Sequence, residues 1–193
     1  MESTQNKWNL LYKVGGIAAI CSVALIPIQI VIFTVWMPPT EVLDWFALFQ
    51  ENWLLGLLSL DFLYILNNSL ILLLYLALYL RLKEANPSLM TIAFLVGVVG
   101  ATVYYASNTG FEMLTLSNLY AAAETTAEKA MLMASARTML TIYTGTAFNS
   151  YYVLNGIALL LISIVMLKSE IFNKASAYWG LAAAIFMSIP STA

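Results

Sequence analysis

From Val14 to Trp36 the chain runs for 23 residues without a charged side chain. A helix of that length covers about 35 Å, more than the roughly 30 Å of a bilayer's hydrocarbon core. The run exceeds the ~7–15 residue core of a signal peptide, and no small-residue cleavage site follows it, so it reads as a retained first span. Composition agrees. Hydrophobic residues make up 62% of the 193 positions, charged residues only 9%, and mean hydropathy is +0.85. Soluble domains carry about 25% charged residues. A water-soluble fold of this size has too little core to hide so much apolar surface, and lipid removes the need. The expectation is an all-α, polytopic transmembrane bundle of about five spans, with residues 1–193 forming one domain.

Local signals divide the chain. Pro27 predicts a kink in span one, with Gln29 beside it, because proline removes a helix hydrogen bond. Met37-Pro38-Pro39 ends that helix. Over Thr40–Asn52, acidic Glu41, Asp44 and Glu51 alternate with Trp45, Phe46 and Phe49. This predicts an amphipathic helix lying on the membrane surface or, more simply, packed on its own bundle. Trp53–Leu80 is long for one span, which predicts tilt or projection beyond the bilayer. Asn86-Pro87 makes the next turn. Span three runs from Ser88 to about Ser107, and its helical pattern continues through Glu112 to Ala123. Glu124–Lys129 forms a bend, and the helix resumes near Ala127. Span four has its apolar centre at Ala147–Leu167. A charged turn at 168–174 precedes span five, from Ala175.

Basic residues orient the chain. Lys7, Lys13, Arg81, Lys83, Lys168 and Lys174 fall on one side, and only Lys129 and Arg137 on the other. The positive-inside rule predicts a cytoplasmic N-terminus and an acidic outer side with helix extensions.

Polar residues within spans are costly and need partners or a wet cavity. At about 100° per residue, Asp61, Tyr64, Asn68, Tyr75 and Tyr79 share one face of span two. Gly97, Ala101, Tyr104, Asn108, Glu112 and Thr115 share a face of span three. On span four Arg137, Thr141, Thr144, Phe148, Tyr151 and Asn155 align, provided Gly145 does not break the helix. The candidate binding positions are Asp61, Tyr64, Asn68, Tyr104, Asn108, Tyr151 and Asn155, lining a polar cavity open to the outside. The plainer reading of the same residues is interhelical hydrogen bonding, at about 0.6–2 kcal/mol each. Asp61 weighs against it, since a carboxylate is the costliest group to bury. Glu112 and Arg137 are predicted to form a structural ion pair beyond the outer ends of spans three and four. Small residues four apart, Gly97 with Ala101 and Gly180 with Ala184, permit close helix contact and suggest a protein partner or homo-oligomer besides membrane lipids.

Much chemistry lacks its residues. There is no histidine, and the one cysteine, Cys21, has no second to pair with. A Ser-His or Cys-His nucleophile cannot be built. Zinc held by histidine, haem on histidine and a phosphate-binding glycine loop are likewise missing. The lysines lie at helix ends or loops rather than within a span. No basic cluster suits nucleic acid. No catalytic residue, cofactor or metal is assigned.

Several polar islands resemble a known family. They are Glu51-Asn52-Trp53-Leu54-Leu55-Gly56-Leu57-Leu58-Ser59-Leu60-Asp61 with Tyr75-Leu76-Ala77-Leu78-Tyr79, and Ala106-Ser107-Asn108-Thr109-Gly110-Phe111-Glu112-Met113. Thr144-Gly145-Thr146-Ala147-Phe148, Val153-Leu154-Asn155-Gly156 and Ile189-Pro190-Ser191-Thr192-Ala193 complete the set. Together they resemble an uncharacterised family of small multispanning membrane proteins of bacteria and archaea, a domain of unknown function. The resemblance implies a prokaryotic cytoplasmic membrane and no particular activity. It also implies a further, sixth span beyond Pro190-Ser191-Thr192-Ala193. The leading expectation is a non-enzymatic accessory or lipid- or small-molecule-binding bundle. The alternative is a small transporter or channel using the Asp61 and Asn108 region, although no internal repeat is visible. An intramembrane enzyme is the least favoured.

Overall fold

The computed structural model describes residues 7–189. Of the polar islands above, Pro190 to Ala193 lie outside the described residues. Helix α1 (Asn9–Val35) contains Pro27 and is followed by an amphipathic helix, α2 (Val42–Glu51). The region expected to form a single tilted span is split into α3 (Trp53–Ser59) and α4 (Phe62–Leu82). Helices α5 (Pro87–Ser107) and α6 (Gly110–Ala122) are likewise separated, at Asn108 and Thr109. Helix α7 (Thr126–Ile142) passes through a π-helical turn, Tyr143–Ala147, into α8 (Phe148–Lys168). Helix α9 (Lys174–Met187) follows.

Side-chain caps explain several starts. Asn52 accepts from Leu55 N at 3.0 Å, Asn86 from Leu89 N at 3.0 Å and Asn173 from Ser176 N at 2.8 Å. Pro87 occupies the first turn of α5, where its missing N–H costs nothing. Thr125 and Glu128 form a reciprocal capping box on α7, satisfying two otherwise orphaned donors.

Among the described residues four stretches are long and apolar enough to cross a membrane: Asn9–Val35, Phe62–Leu82, Pro87–Ala122 and Thr126–Lys168. The described part of α9 has 14 residues, about 21 Å of helix, which is less than a bilayer core. Helix α8 is central and packs along α5 on one side and α9 on another. Helix α4 joins α1 to α5. Helix α1 is peripheral: only Gly15, Ala18 and Ser22 are buried, while Ile17, Ile20, Val23 and Ile30 are exposed, as suits a lipid-facing helix.

The small-residue faces are occupied within the chain. A Cβ on Gly97 would lie 2.7 Å from the Tyr75 ring, and one on Gly180 would overlap Ser163. Ala101 and Ala184 are each 1% exposed. These faces set the spacing between helices of one chain.

Among the described residues the packed interior has two clusters. One joins Tyr75, Leu82, Met90, Ala93, Ala158, Ile162 and Val165 at the end bearing the α4–α5 turn. The other joins Trp45, Phe46, Phe49, Leu57 and Leu60 to Tyr104, Met113, Tyr143, Ala147 and Tyr151 at the opposite end. There the amphipathic α2 turns Val42, Trp45, Phe46 and Phe49 into the protein. Gln50 donates to Ser117 and to Asn118, each at 2.9 Å, and Ser117 donates to Phe46 O at 3.1 Å. Helices α2, α3, α6 and α7 thus form a cap over this end of the bundle.

Candidate functional site

Irregular helix backbone concentrates where the cap meets the spans. Asp61, between α3 and α4, has φ 59° and ψ 33° and is the one non-glycine with positive φ among the described residues. Left-handed backbone disfavours most side chains, but aspartate tolerates it better than nearly all others. Asn108 and Thr109 interrupt α5–α6, and the π turn interrupts α7–α8. Pro27 lies inside α1, two residues before Gln29.

Side chains from one interruption satisfy groups at the next. Asn108 Nδ2 donates to Leu60 O at 2.8 Å, meeting a carbonyl beside the α3–α4 break. Its Oδ1 accepts from Gly110 N at 3.2 Å and holds the start of α6. The Thr109 hydroxyl donates to Met139 O at 3.1 Å, just before the π turn. Tyr143, the first residue of that turn, donates to Asp61 Oδ2. Gln29 Nε2 donates to Asp61 Oδ1 at 2.7 Å.

Asp61 is 2% exposed. The sequence placed it in a cavity open to the outside; it is instead enclosed beneath the cap. Its two hydrogen-bond donors are neutral, and no lysine or arginine pairs with it among the described residues. A carboxylate has about four acceptor positions, and Gln29, Tyr143 and the nearby Tyr104 hydroxyl do not fill all of them.

A layer of tyrosines lies beside it. Tyr104 is 5.9 Å from Tyr64 and 5.4 Å from Tyr151, ring centre to ring centre. Tyr64 and Tyr152 share a hydroxyl hydrogen bond of 2.8 Å. The Tyr104 hydroxyl interacts electrostatically with Asp61 and Asn108, yet it makes no well-formed hydrogen bond.

Asn68 and Asn155 lie one turn further along α4 and α8, each 1% exposed. Counted along their helices, both are about 10 Å inward from the broken ends. Asn155 Nδ2 donates to Tyr151 O at 3.1 Å, and its amide rests against Gly100, where a Cβ would be 2.5 Å away. Its Oδ1 has no partner, and Asn68 has none at either amide atom. Ser59 Oγ, at the end of α3, is also buried without a partner. Buried polar atoms are nearly always paired, with protein, water or ligand.

The structure therefore brings Asp61, Tyr64, Tyr104, Asn108 and Tyr151 into one region, with Asn68 and Asn155 a turn deeper. It does not bring Glu112 to Arg137. Both side chains are exposed, and no ion pair joins them among the described residues. Glu112 faces a cleft lined by Ser135 and Met139 of α7, whereas Arg137 points elsewhere on that helix. The stripes that selected this pair assumed unbroken helices. The interruption at Asn108 and the π turn rotate everything beyond them, so Glu112, Thr115, Thr141 and Thr144 also face outward. The sequence reading missed two partners. Gln29 was visible as an amide in an apolar helix, but nothing marked its contact 32 positions away. Tyr143 fell outside the stripe because a regular helix turns it away.

Among the described residues no group of three His, Cys, Asp or Glu side chains is placed to hold a metal ion. No match is found among curated proteins or solved structures. The sequence model of one family matches residues 10–193, nearly the whole chain, and its description is that of a domain of unknown function. The chain belongs to this family, DUF4386, and its apolar helices make it a membrane protein.

Proposed function

We propose that the protein binds a small polar molecule, without transforming it, in the region between Asp61 and the Asn68–Asn155 level. The charge distribution supports an orientation with the basic end inside and the cap outside, and the family resemblance implies a prokaryotic cytoplasmic membrane as the setting. The observation that carries this reading is Asn68. Its amide is 1% exposed, and neither polar atom is paired. Leaving such a group unsatisfied costs about 1–3 kcal/mol per group. A ligand or water that reached the amide would recover that cost. Asp61, with acceptor capacity to spare, favours a ligand rich in hydrogen-bond donors, neutral or cationic.

A transport role is the second reading, and the interrupted helices favour it. Transporters place discontinuous helices around their binding sites because broken backbone supplies ligand groups and hinges. Here the interruptions are already stitched to one another by side chains, which supports a closed state.

Asn68→Leu provides the test. Replacing an orphaned amide with an apolar group of similar size raises stability, by about 1–3 kcal/mol. Unfolding is followed in nanodiscs, without additive and with millimolar methylammonium, acetamide or glycerol. At least one probe should raise the Tm of the wild type, as ligand binding to the folded state requires. Asn68→Leu should raise the Tm without additive and abolish the response to the probe. No response in the wild type to any of the three would overturn the reading.

A further inference from the structure

A second feature lies at the opposite end of the same helix. Arg81 is 20 residues after Asp61, about 30 Å along α4, which is one bilayer core. There α1, α4 and the α8–α9 turn enclose a groove of about 460 Å³. Tyr12 and Gly16 of α1, Leu74, Leu78 and Arg81 of α4, and Phe172 line it. Its volume falls in the range of small-molecule sites, about 300–1,000 Å³.

The chemistry of the groove changes along its length. Leu74, Leu78 and the bare helix surface at Gly16 make an apolar wall. Arg81 stands at the other end and is partly buried. Its guanidinium, with five donors, makes no hydrogen bond or ion pair among the described residues. Tyr12 lines the same groove, and tyrosines are enriched at membrane interfaces. Lys13 near the start of α1, Lys83 just after α4, Lys168 at the end of α8 and Lys174 at the start of α9 belong to this end of the bundle, with acidic Glu84 and Glu170. The site is polar and positive where a headgroup sits and apolar where an acyl chain enters the bilayer.

We propose that this groove is a binding site for one anionic phospholipid. Arg81 and Tyr12 hold the phosphate, and the start of an acyl chain lies against Gly16, Leu74 and Leu78. The bare surface at Gly16 makes the room. A Cβ added there meets nothing within 4 Å, so the space beside it belongs to the groove and not to another helix. Gly15, one residue earlier, differs: a Cβ there would overlap Ala77. Gly15 serves helix packing, and Gly16 leaves the groove open. This site is separate from the Asp61 region and does not depend on the function proposed for it.

Native mass spectrometry of the full chain tests the assignment. Detergent-solubilised protein is titrated with dioleoyl-phosphatidylglycerol and, separately, with dioleoyl-phosphatidylcholine. One phosphatidylglycerol should be retained at least about fivefold more tightly than phosphatidylcholine, the effect of one well-placed cation on an anionic lipid. Arg81→Gln should reduce that preference to near unity. Gly16→Leu, whose Cβ would meet nothing within 4 Å and whose remaining atoms would enter the groove, should weaken retention of both lipids while leaving the Tm of the lipid-free protein unchanged or higher. Equal retention of the two lipids by the wild type would overturn the proposal. So would phosphatidylglycerol retention that survives Gly16→Leu, because binding would then lie elsewhere. Should Arg81→Gln fold poorly, Gly16→Leu alone decides. Glycerol 3-phosphate at millimolar concentration should not displace the lipid; displacement would assign the groove to a soluble phosphate instead.

Discussion

The two ends of this bundle are held together by different physics. At the basic end, α5, α8 and α9 approach through small residues, and aliphatic side chains fill the space between them. Ile162 and Val165 are each 1% exposed, and Ala93, Ala158 and Ala177 are fully buried. At the capped end the helices are interrupted, and side-chain hydrogen bonds join the interruptions. Lipid tails are as apolar as leucine, so burial of apolar surface does little to hold one span to another. Close packing supplies the dispersion contacts at the basic end. The capped end cannot pack so uniformly, because it must satisfy the backbone groups that its interruptions release. Asn108 and Thr109 do so directly, and Gln29 and Tyr143 hold the Asp61 side chain at the α3–α4 break.

Substitutions at each end can separate these two modes. The largest effect is expected at Asp61. Asp61→Leu removes the acceptor of two buried donors and puts a poorly suited side chain in left-handed backbone. A loss of about 2–6 kcal/mol is expected, from about 1–3 kcal/mol for each of the two donors left unpaired. The loss should be local first. Trypsin cleavage at Lys129 and Arg137, the basic residues of the cap, should accelerate before the spans unfold. Unchanged cleavage in this variant would mean that the cap does not depend on Asp61.

Ile162→Ala tests the other end. It opens a cavity among Tyr75, Met90 and Val165, and a loss of about 2–4 kcal/mol in reversible unfolding is expected. Cleavage at Lys129 and Arg137 should not change. If it accelerates as much as in Asp61→Leu, the two ends form one cooperative unit and the contrast fails.

The smallest effect is expected at Thr109→Val. It keeps the shape and removes one hydrogen bond to Met139 O, at a cost of about 1 kcal/mol. Amide exchange should quicken around the π turn and stay unchanged in α9. A uniform increase along the chain would deny the stitch its local role.

How much of this was legible in the sequence follows from the same contrast. Regular helix is periodic, and its length is set by the bilayer. Span one, read as Val14–Trp36, is α1 over Asn9–Val35, and Asn86-Pro87 starts α5. The candidate positions Tyr64, Tyr104 and Tyr151 share one aromatic layer because the helix segments that carry them are regular. The break at Leu60–Asp61 has no glycine or proline to announce it. Its backbone is left-handed at an aspartate, held by Gln29 and Tyr143 from distant parts of the chain. Long-range hydrogen bonds leave no periodic trace. The Glu112–Arg137 pairing failed for the same reason: an interruption of one or two residues rotates everything after it.

The stitched interruptions have a consequence for inheritance. Asn108 serves both the α3–α4 break and the start of α6, and Asp61 serves both α1 and the π turn. Residues that share partners in this way do not contribute additively. Once one stitch is lost, the remaining ones hold less, and losing them costs less. In a mutational scan, positions 29, 61, 108, 109 and 143 will therefore behave as a single locus. The first change will be penalised heavily and the later ones lightly, whereas positions at the basic end will each pay separately.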